Sequence, residues 1–357
     1  VRWLLIAQRS SKRSGFTLLE LLVALLIGSI IVSALLYGLV EILQTNQRES
    51  SRAETQREMQ LAIDYISSDI RESVFVYDGD CLSPTTSRAG ICRGLPPVLP
   101  TAISGAGKVP VLAMWRVDEL PQVLIDSCRA NAARINDNPP PAAINGVPCL
   151  SRRNYTLVVY YLDTTNPTGK WQGQARIRRY ELPQFDQRGN RNTGWVDPTS
   201  TQNNFLGWPY ALVRSSLTNL QTTSPLPDGT QNLAQGAPEN REGAALVDFV
   251  DAPTGSQAVN TANACPGPAT PPANPRQPPF VVSPTSGSTS FYACVRGGGV
   301  NAVGNANNEG GRNQEIYVFL RGNAAGRPGI PTNAENAKFE METRVLTRGS
   351  YEKTPAE

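Results

Sequence analysis

The sequence predicts an α+β fold, with one very long N-terminal helix leading into a mainly antiparallel sheet. Three observations carry this. Leu21 to Val40 is a run of twenty residues without a charge, and Glu41 to Ser73 continues it without a Gly or Pro. A set of short, strand-like apolar segments follows, each separated from the next by polar, Gly- or Pro-containing stretches. Six cysteines all fall after the long helical stretch. A helix first and strands afterwards is the pattern of helix-on-sheet layers, not of alternating βαβ units.

The chain starts with a basic segment, Arg2, Arg9, Lys12 and Arg13, and reaches Gly15-Phe16-Thr17-Leu18-Leu19-Glu20. By the positive-inside rule those four cations hold the segment in the cytoplasm. From Phe16 to Val40 the helix would rise about 37 Å at 1.5 Å per residue, enough to cross an apolar bilayer core of about 30 Å with some tilt. Glu20 is stranded at the head of this span, where a carboxylate costs about 3 kcal/mol on insertion scales, so a role for it is expected. Gly28, Ser29, Ser33 and Gly38 are small enough to let another helix approach closely.

Beyond Val40 the helix is expected to leave the membrane. Glu49/Arg52 and Glu54/Arg57 sit three apart on neighbouring helix positions. Met59, Ile63, Ile66, Ile70 and Val74 recur every three or four residues, an amphipathic face that should pack on a following domain. Asp78-Gly79 is the turn expected to end the element. The predicted organisation is residues 1–15 as a leader, 16–40 as the membrane segment, 41–77 as the amphipathic continuation and 78–357 as a head. The predicted strands are Val111–Val117, Tyr155–Leu162, Ala175–Leu182, Ala245–Val250, Phe291–Arg296, Glu315–Arg321 and Glu340–Thr347. Tyr155–Leu162 and Ala175–Leu182 suit an antiparallel pair joined by a longer loop. The stretch from Cys265 to Pro284 reads as an extended, polyproline-like loop.

Cys81, Cys92, Cys128, Cys149, Cys265 and Cys294 are even in number and lie outside the cytoplasm in this topology, which favours disulfides. Six cysteines allow fifteen connectivities. The simplest is sequential, 81 with 92, 128 with 149 and 265 with 294. The alternative is zinc, which the ligand rules disfavour: there is no CxxC pair and no histidine.

The run GFTLLE ahead of a membrane-length helix resembles the class III signal of type IV pilins and pseudopilins. The resemblance implies cleavage by a prepilin peptidase after Gly15, N-methylation of Phe16, and a role in assembly for Glu20, the fifth residue after the cut, by pairing with a neighbouring subunit's terminal amine. It also implies a type IV pilin-like fold, an inner-membrane protein with its head outside the cytoplasm, and later a filament built with other pilin subunits at an inner-membrane assembly platform. A generic single-pass anchor with Glu20 at the interface is the plainer reading, but it gives no reason for the hexapeptide. No proline occurs between Phe16 and Val74, and the chain is long, both more typical of minor pilins and pseudopilins than of major pilins. The segment QREMQLAIDYISSDIRESVFVYDG and the ending ETRVLTRG resemble large minor pilins of the PilW-like group, in particular the cyanobacterial pseudopilins of hormogonium polysaccharide secretion and gliding.

Other chemistry is poorly supported. Without histidine there is no Ser-His-Asp or Cys-His site. Ser104 to Lys108 only imitates a phosphate loop, since Ala102 and Val109 replace the required residues. Gly297-Gly298-Gly299 fails the dinucleotide pattern at Ala302. Asn305, Asn307 and Glu309 begin like a calcium loop, but Ile316 stands where the bidentate acid belongs. Asp248 and Asp251 read as solvated carboxylates. After leader removal 29 basic face 30 acidic side chains, so nucleic acid is not an expected partner. No enzyme, metal or cofactor is expected. The expected function is a minor pilin or pseudopilin of a type IV pilus-like assembly that primes or extends filaments and supports motility and polysaccharide secretion. The alternatives are an adhesin-type minor pilin that binds a surface or polymer, and a type II secretion pseudopilin.

Overall fold

The computed structural model describes residues 15–82, 92, 94–138, 140–201, 204–213, 215–223, 236–252, 265–266, 280–285, 290–297 and 314–347. One unbroken helix, α1 (Leu18–Glu72), runs for 55 residues, about 80 Å at 1.5 Å per residue. It is followed by β1 (Ser73–Val76), α2 (Gly79–Leu82), α3 (Thr101–Ser104), β2 (Lys108–Glu119), α4 (Gln122–Ala130), β3 (Arg153–Asp163) and β4 (Ala175–Pro183). Then come β5 (Tyr210–Val213), β6 (Ser216–Asn219), β7 (Ala244–Val250), β8 (Val281–Ser283), β9 (Phe291–Arg296), β10 (Glu315–Asn323) and β11 (Lys338–Leu346). The protein is α+β, as the residue pattern predicts.

Nine strands form one antiparallel sheet in the order β1-β2-β3-β4-β7-β10-β9-β8, with β11 also paired to β10. β10 is a branch point. Along one edge it pairs with β11 from Glu315↔Leu346 to Asn323↔Lys338. Its other edge is divided, β9 covering Glu315 to Leu320 and β7 meeting it at Gly322↔Val250. β5 and β6 form a separate hairpin.

The second half of α1 packs on one face of this sheet. Met59, Ile63, Ile66 and Ile70, the spaced face expected from the sequence, are buried against Met114, Val158, Tyr160, Ile177, Phe291 and Val318. The opposite face of β1 to β4 is covered too. Trp115, Leu157, Val159, Tyr161 and Leu182 are buried there beneath Leu95, Ile103, Trp195, Phe205 and Trp208. Burial on both faces explains why β3 reads as a continuous apolar run instead of an alternating one. β11, which pairs only with β10 among the described residues, keeps the alternation, with Lys338, Glu340, Glu342 and Arg344 in the exposed register and Val345 buried. Charges on an edge strand discourage pairing with another sheet.

Two boundaries differ from expectation. α1 stops at Glu72, short of residue 77, and Val74 belongs to β1 rather than to the amphipathic helix face. Ser73 ends the helix: it turns to extended backbone while its hydroxyl donates to Ile70 O at 2.6 Å. Val74 and Val76 favour a strand, and β1 finds a partner in β2, so sheet pairing outweighs a further helical turn. Asp78 accordingly does not end α1 but caps α2, accepting from Cys81 N. Gly79 is required by packing, since a Cβ there would lie 1.7 Å from Val282 O of β8. The sheet of the head therefore begins at Ser73. Helices and strands absent from the sequence-based expectation are α2, α3, α4, β1, β8 and the β5–β6 hairpin.

Three disulfides join Cys81 to Cys92, Cys128 to Cys149 and Cys265 to Cys294, the sequential pairs. Most of the expected polyproline-like loop lies outside the described residues, and so does the segment from Asn305 to Glu309.

Candidate functional site

The N-terminal half of α1 has no counterpart in a water-soluble domain. From Leu18 to Val40 no residue is buried, although the segment is apolar around its whole circumference. Its most apolar window has a mean hydropathy of 2.6, which by length and composition suffices to cross a membrane. A helix that is apolar all round belongs inside lipid or among other apolar helices. Gly28 and Gly38 have nothing within 4 Å of where a Cβ would stand, so they leave shallow notches on the helix surface. The hydroxyl of Ser29, which would be costly in lipid, donates to Leu26 O at 2.9 Å.

The start of the helix is built by a reciprocal capping box. Thr17 is the N-cap in extended conformation, and its Oγ1 accepts from Glu20 N at 3.2 Å. Glu20 Oε2 accepts from both Thr17 N and Thr17 Oγ1, each at 3.3 Å. Two otherwise unpaired amides are thus satisfied, and the carboxylate lies at the positive end of the helix dipole. The T-x-x-E spacing makes Thr17 legible as a cap, whereas the expectation for Glu20 was an assembly role alone. Phe16, next to the cap, is 82% exposed. Gly15 has open space around it, and the basic residues before it lie outside the described part of the chain.

The junction between the bare and packed halves is clasped. Between β10 and β11, residues 324–337 reach to the helix: Arg48 Nε donates to Gly329 O at 2.9 Å, Ser51 Oγ to Pro328 O at 2.8 Å, and Arg52 to Asn336 O at 2.9 Å. Arg327 adds ion pairs to Glu54 and Glu58 and lies over the Phe249 ring. Gly329 has φ +80°, and any Cβ would press on Arg48. At the far end Asp69 is almost fully buried. It accepts from Arg116 Nη1 and Arg179 Nε, both at 2.7 Å, and from the Tyr160 hydroxyl. Burial alone would push the Asp69 carboxyl up, but the hydrogen bonds from Arg179 and Tyr160 and the charges of Arg179 and Arg116 outweigh it and hold it low. Asp118 and Glu181 complete the charge balance around the two arginines. These contacts fix the direction in which the bare half leaves the head.

The remaining sequence candidates are structural. Lys108, of the phosphate-loop imitation, pairs with Glu242 at 2.9 Å. Asp248 accepts from Gly173 N, and Asp251 is not solvated as expected but buried, bound by Arg321 and Asn323. Its burial follows from the β7–β10 crossing, which brings Arg321 beside it. Among the described residues no cluster of metal-ligating side chains occurs.

Residues 10–36 match the family model described as the prokaryotic N-terminal methylation motif. No curated protein and no solved structure matches the chain. Proteins carrying this motif are generally structural, assemble with other pilins and are processed by a prepilin peptidase. The motif, the bare apolar helix and the antiparallel, disulfide-bonded head together support a type IV pilin-like, membrane-anchored protein.

Proposed function

We propose that this chain is a minor pilin or pseudopilin that acts by assembly. The prepilin peptidase cuts between Gly15 and Phe16, Phe16 becomes N-methylated, and Glu20 pairs with the terminal amine of an adjacent subunit. The carrying observation is the division of α1, with one half buried in its own head and the other apolar, bare and headed by a carboxylate. The bare half partitions into the inner membrane as a single pass, and its lipid contacts are exchanged for other subunits' helices at the assembly platform. Glu20 Oε2 serves the capping box, which holds the side chain at the helix start and presents the carboxylate to a neighbour. Pairing neutralises two charges that are each costly in an apolar surrounding. The filament then supports priming or extension, and in the narrower PilW-like reading surface motility and polysaccharide secretion.

Two variants test this together. In Gly15→Val, intact mass of the membrane-extracted protein should show an unprocessed chain, because the added side chain obstructs the narrow protease site. In Glu20→Ala, processing and membrane insertion should persist while the subunit is missing from sheared filaments. Normal processing of the valine variant, or wild-type filament content and motility in the alanine variant, would sink the corresponding half of the reading.

A further inference from the structure

The clasp leaves a cavity of about 380 Å³ between α1 and residues 329–336. Thr45, Arg48, Glu49 and Arg52 form its helix wall. Arg48 and Arg52 stand one turn apart on the same helix face. The loop steadies both, since Gly329 O accepts from Arg48 Nε and Asn336 O from Arg52 Nη2, each at 2.9 Å.

Neither arginine has a carboxylate partner among the described residues. Glu49, although three positions from Arg52, makes no ion pair with it, because Arg52 turns to the loop carbonyl instead. Glu54 and Glu58 are taken by Arg327. A guanidinium carries five N–H donors, and each arginine spends one of them on the loop. Glu49 is the one acid on the cavity walls, so the site is net positive. Two steadied guanidinium groups match the oxygens of an anion, whereas an apolar or cationic ligand would desolvate them without pairing.

The place of the cavity along α1 selects the anion. Ile42 and Leu43 are exposed, so the apolar surface of the bare half runs on to Leu43. Arg48 stands five residues further, about 7.5 Å at 1.5 Å per residue. The headgroup layer outside the bilayer core is about 5 to 7 Å deep on each side. Helical side chains lean toward the N-terminus, here the membrane side, and Thr45 carries the cavity wall one turn closer to the bilayer. The anion at that level is a lipid phosphate.

We propose that this cavity takes the phosphodiester of an anionic phospholipid headgroup between Arg48 and Arg52. The inference rests on reading the bare half of α1 as a membrane anchor. The full chain is titrated in tetraethylene glycol monooctyl ether, and retained lipid is counted by native mass spectrometry. The probes are dioleoylphosphatidylglycerol, dioleoylglycerol, which lacks the phosphate, and inorganic phosphate. The phosphatidylglycerol should be retained and the other two should not. Arg48→Gln should weaken retention roughly tenfold, the effect of one lost charged hydrogen bond. Thr45→Glu should abolish it by setting a carboxylate beside Arg48 while both loop carbonyl bonds and the circular dichroism stay unchanged. Gln44→Glu, the same charge outside the cavity, should leave retention as it is. Thr45→Glu decides the matter where Arg48→Gln disturbs the clasp. Equal retention of dioleoylglycerol, preference for inorganic phosphate, undiminished retention in the folded Thr45→Glu variant, or equal loss in Gln44→Glu would overturn the proposal. So would retention of a second copy of the chain in place of lipid. Flotation with phosphatidylcholine vesicles reads the anchor separately: a chain that fails to float refutes the anchor and this site with it, whereas one that floats without retaining phosphatidylglycerol refutes the site alone.

Discussion

The two halves of α1 share one backbone and differ in what surrounds them. Between Arg48 and Glu72 the helix is amphipathic, and its apolar face is consumed by the sheet of the same chain. From Leu18 to Val40 it is apolar all round, and the head buries none of it. The first kind of surface has an intramolecular solution and the second does not. On the proposed function, stability and assembly are therefore separable: side chains of the packed half hold the head together, whereas those of the bare half are left for lipid or another subunit.

The largest difference between the halves is expected at Asp69. Asp69→Ala should leave Arg116 and Arg179 partly unpaired in a buried setting and destabilise the head by about 3 kcal/mol or somewhat more. Thermal unfolding in detergent, followed by near-UV circular dichroism, measures this. Glu20→Ala, in the other half, should leave that melting curve where it is while removing the subunit from filaments. An Asp69→Ala melt equal to wild type would mean that the packed half is held by apolar contacts alone.

Next in size is the Cys128–Cys149 bond. Its removal, as the double alanine variant, should destabilise the head by about 2–4 kcal/mol through the loop it closes. The same assay reads it, and membrane insertion should not change.

Acid provides a graded test. The Asp69 carboxyl is held below its unfolded value, so its contribution is complete at neutral pH and above the unfolded pKa. It is lost as pH falls through the folded value, because the unfolded chain then binds the proton more readily. Asp163, pulled down against its burial by Thr165, Arg176 and Arg178, works in the same direction. Head stability should therefore decline below about pH 4, near the usual aspartate pKa. Asp69→Asn should flatten that decline. A decline of unchanged steepness in the variant would assign the acid sensitivity to other carboxylates.

The smallest effect is expected at the cap. Thr17→Ala removes one half of the capping box and should fray the first turn at a local cost of about 1 kcal/mol. Amide hydrogen exchange at residues 18 to 21 should speed up, with no shift in head melting.

Much of this is legible in the residues because the forces involved act locally. The amphipathic spacing of Met59, Ile63, Ile66 and Ile70 names the buried face without any knowledge of its partner. The seven predicted strands fall on β2, β3, β4, β7, β9, β10 and β11, since each is long or apolar enough to advertise itself. β1 and β8 escape such reading because four and three residues give no period, and the pairing partner of β1 lies some forty positions along the chain. Asp69 is hidden for a related reason. Nothing near it in sequence announces Arg116 and Arg179, and sheet pairing of β2, β3 and β4 is what gathers them. The capping box at Thr17 is a local pattern and could have been found from its spacing.

Composition and spacings of a few residues suffice for the α+β class, the uncharged membrane-length span, the GFTLLE junction and the oxidisable cysteines, because the chain expresses them before it folds. Packing in three dimensions settles the rest: where α1 ends, how β10 divides its edge between β7 and β9, which arginines neutralise Asp69, and that Arg48 and Arg52 share one cavity with residues 329–336. Those outcomes rest on contacts between residues tens to hundreds of positions apart, and such contacts are set by sheet register and by packing on both faces, quantities no local pattern carries.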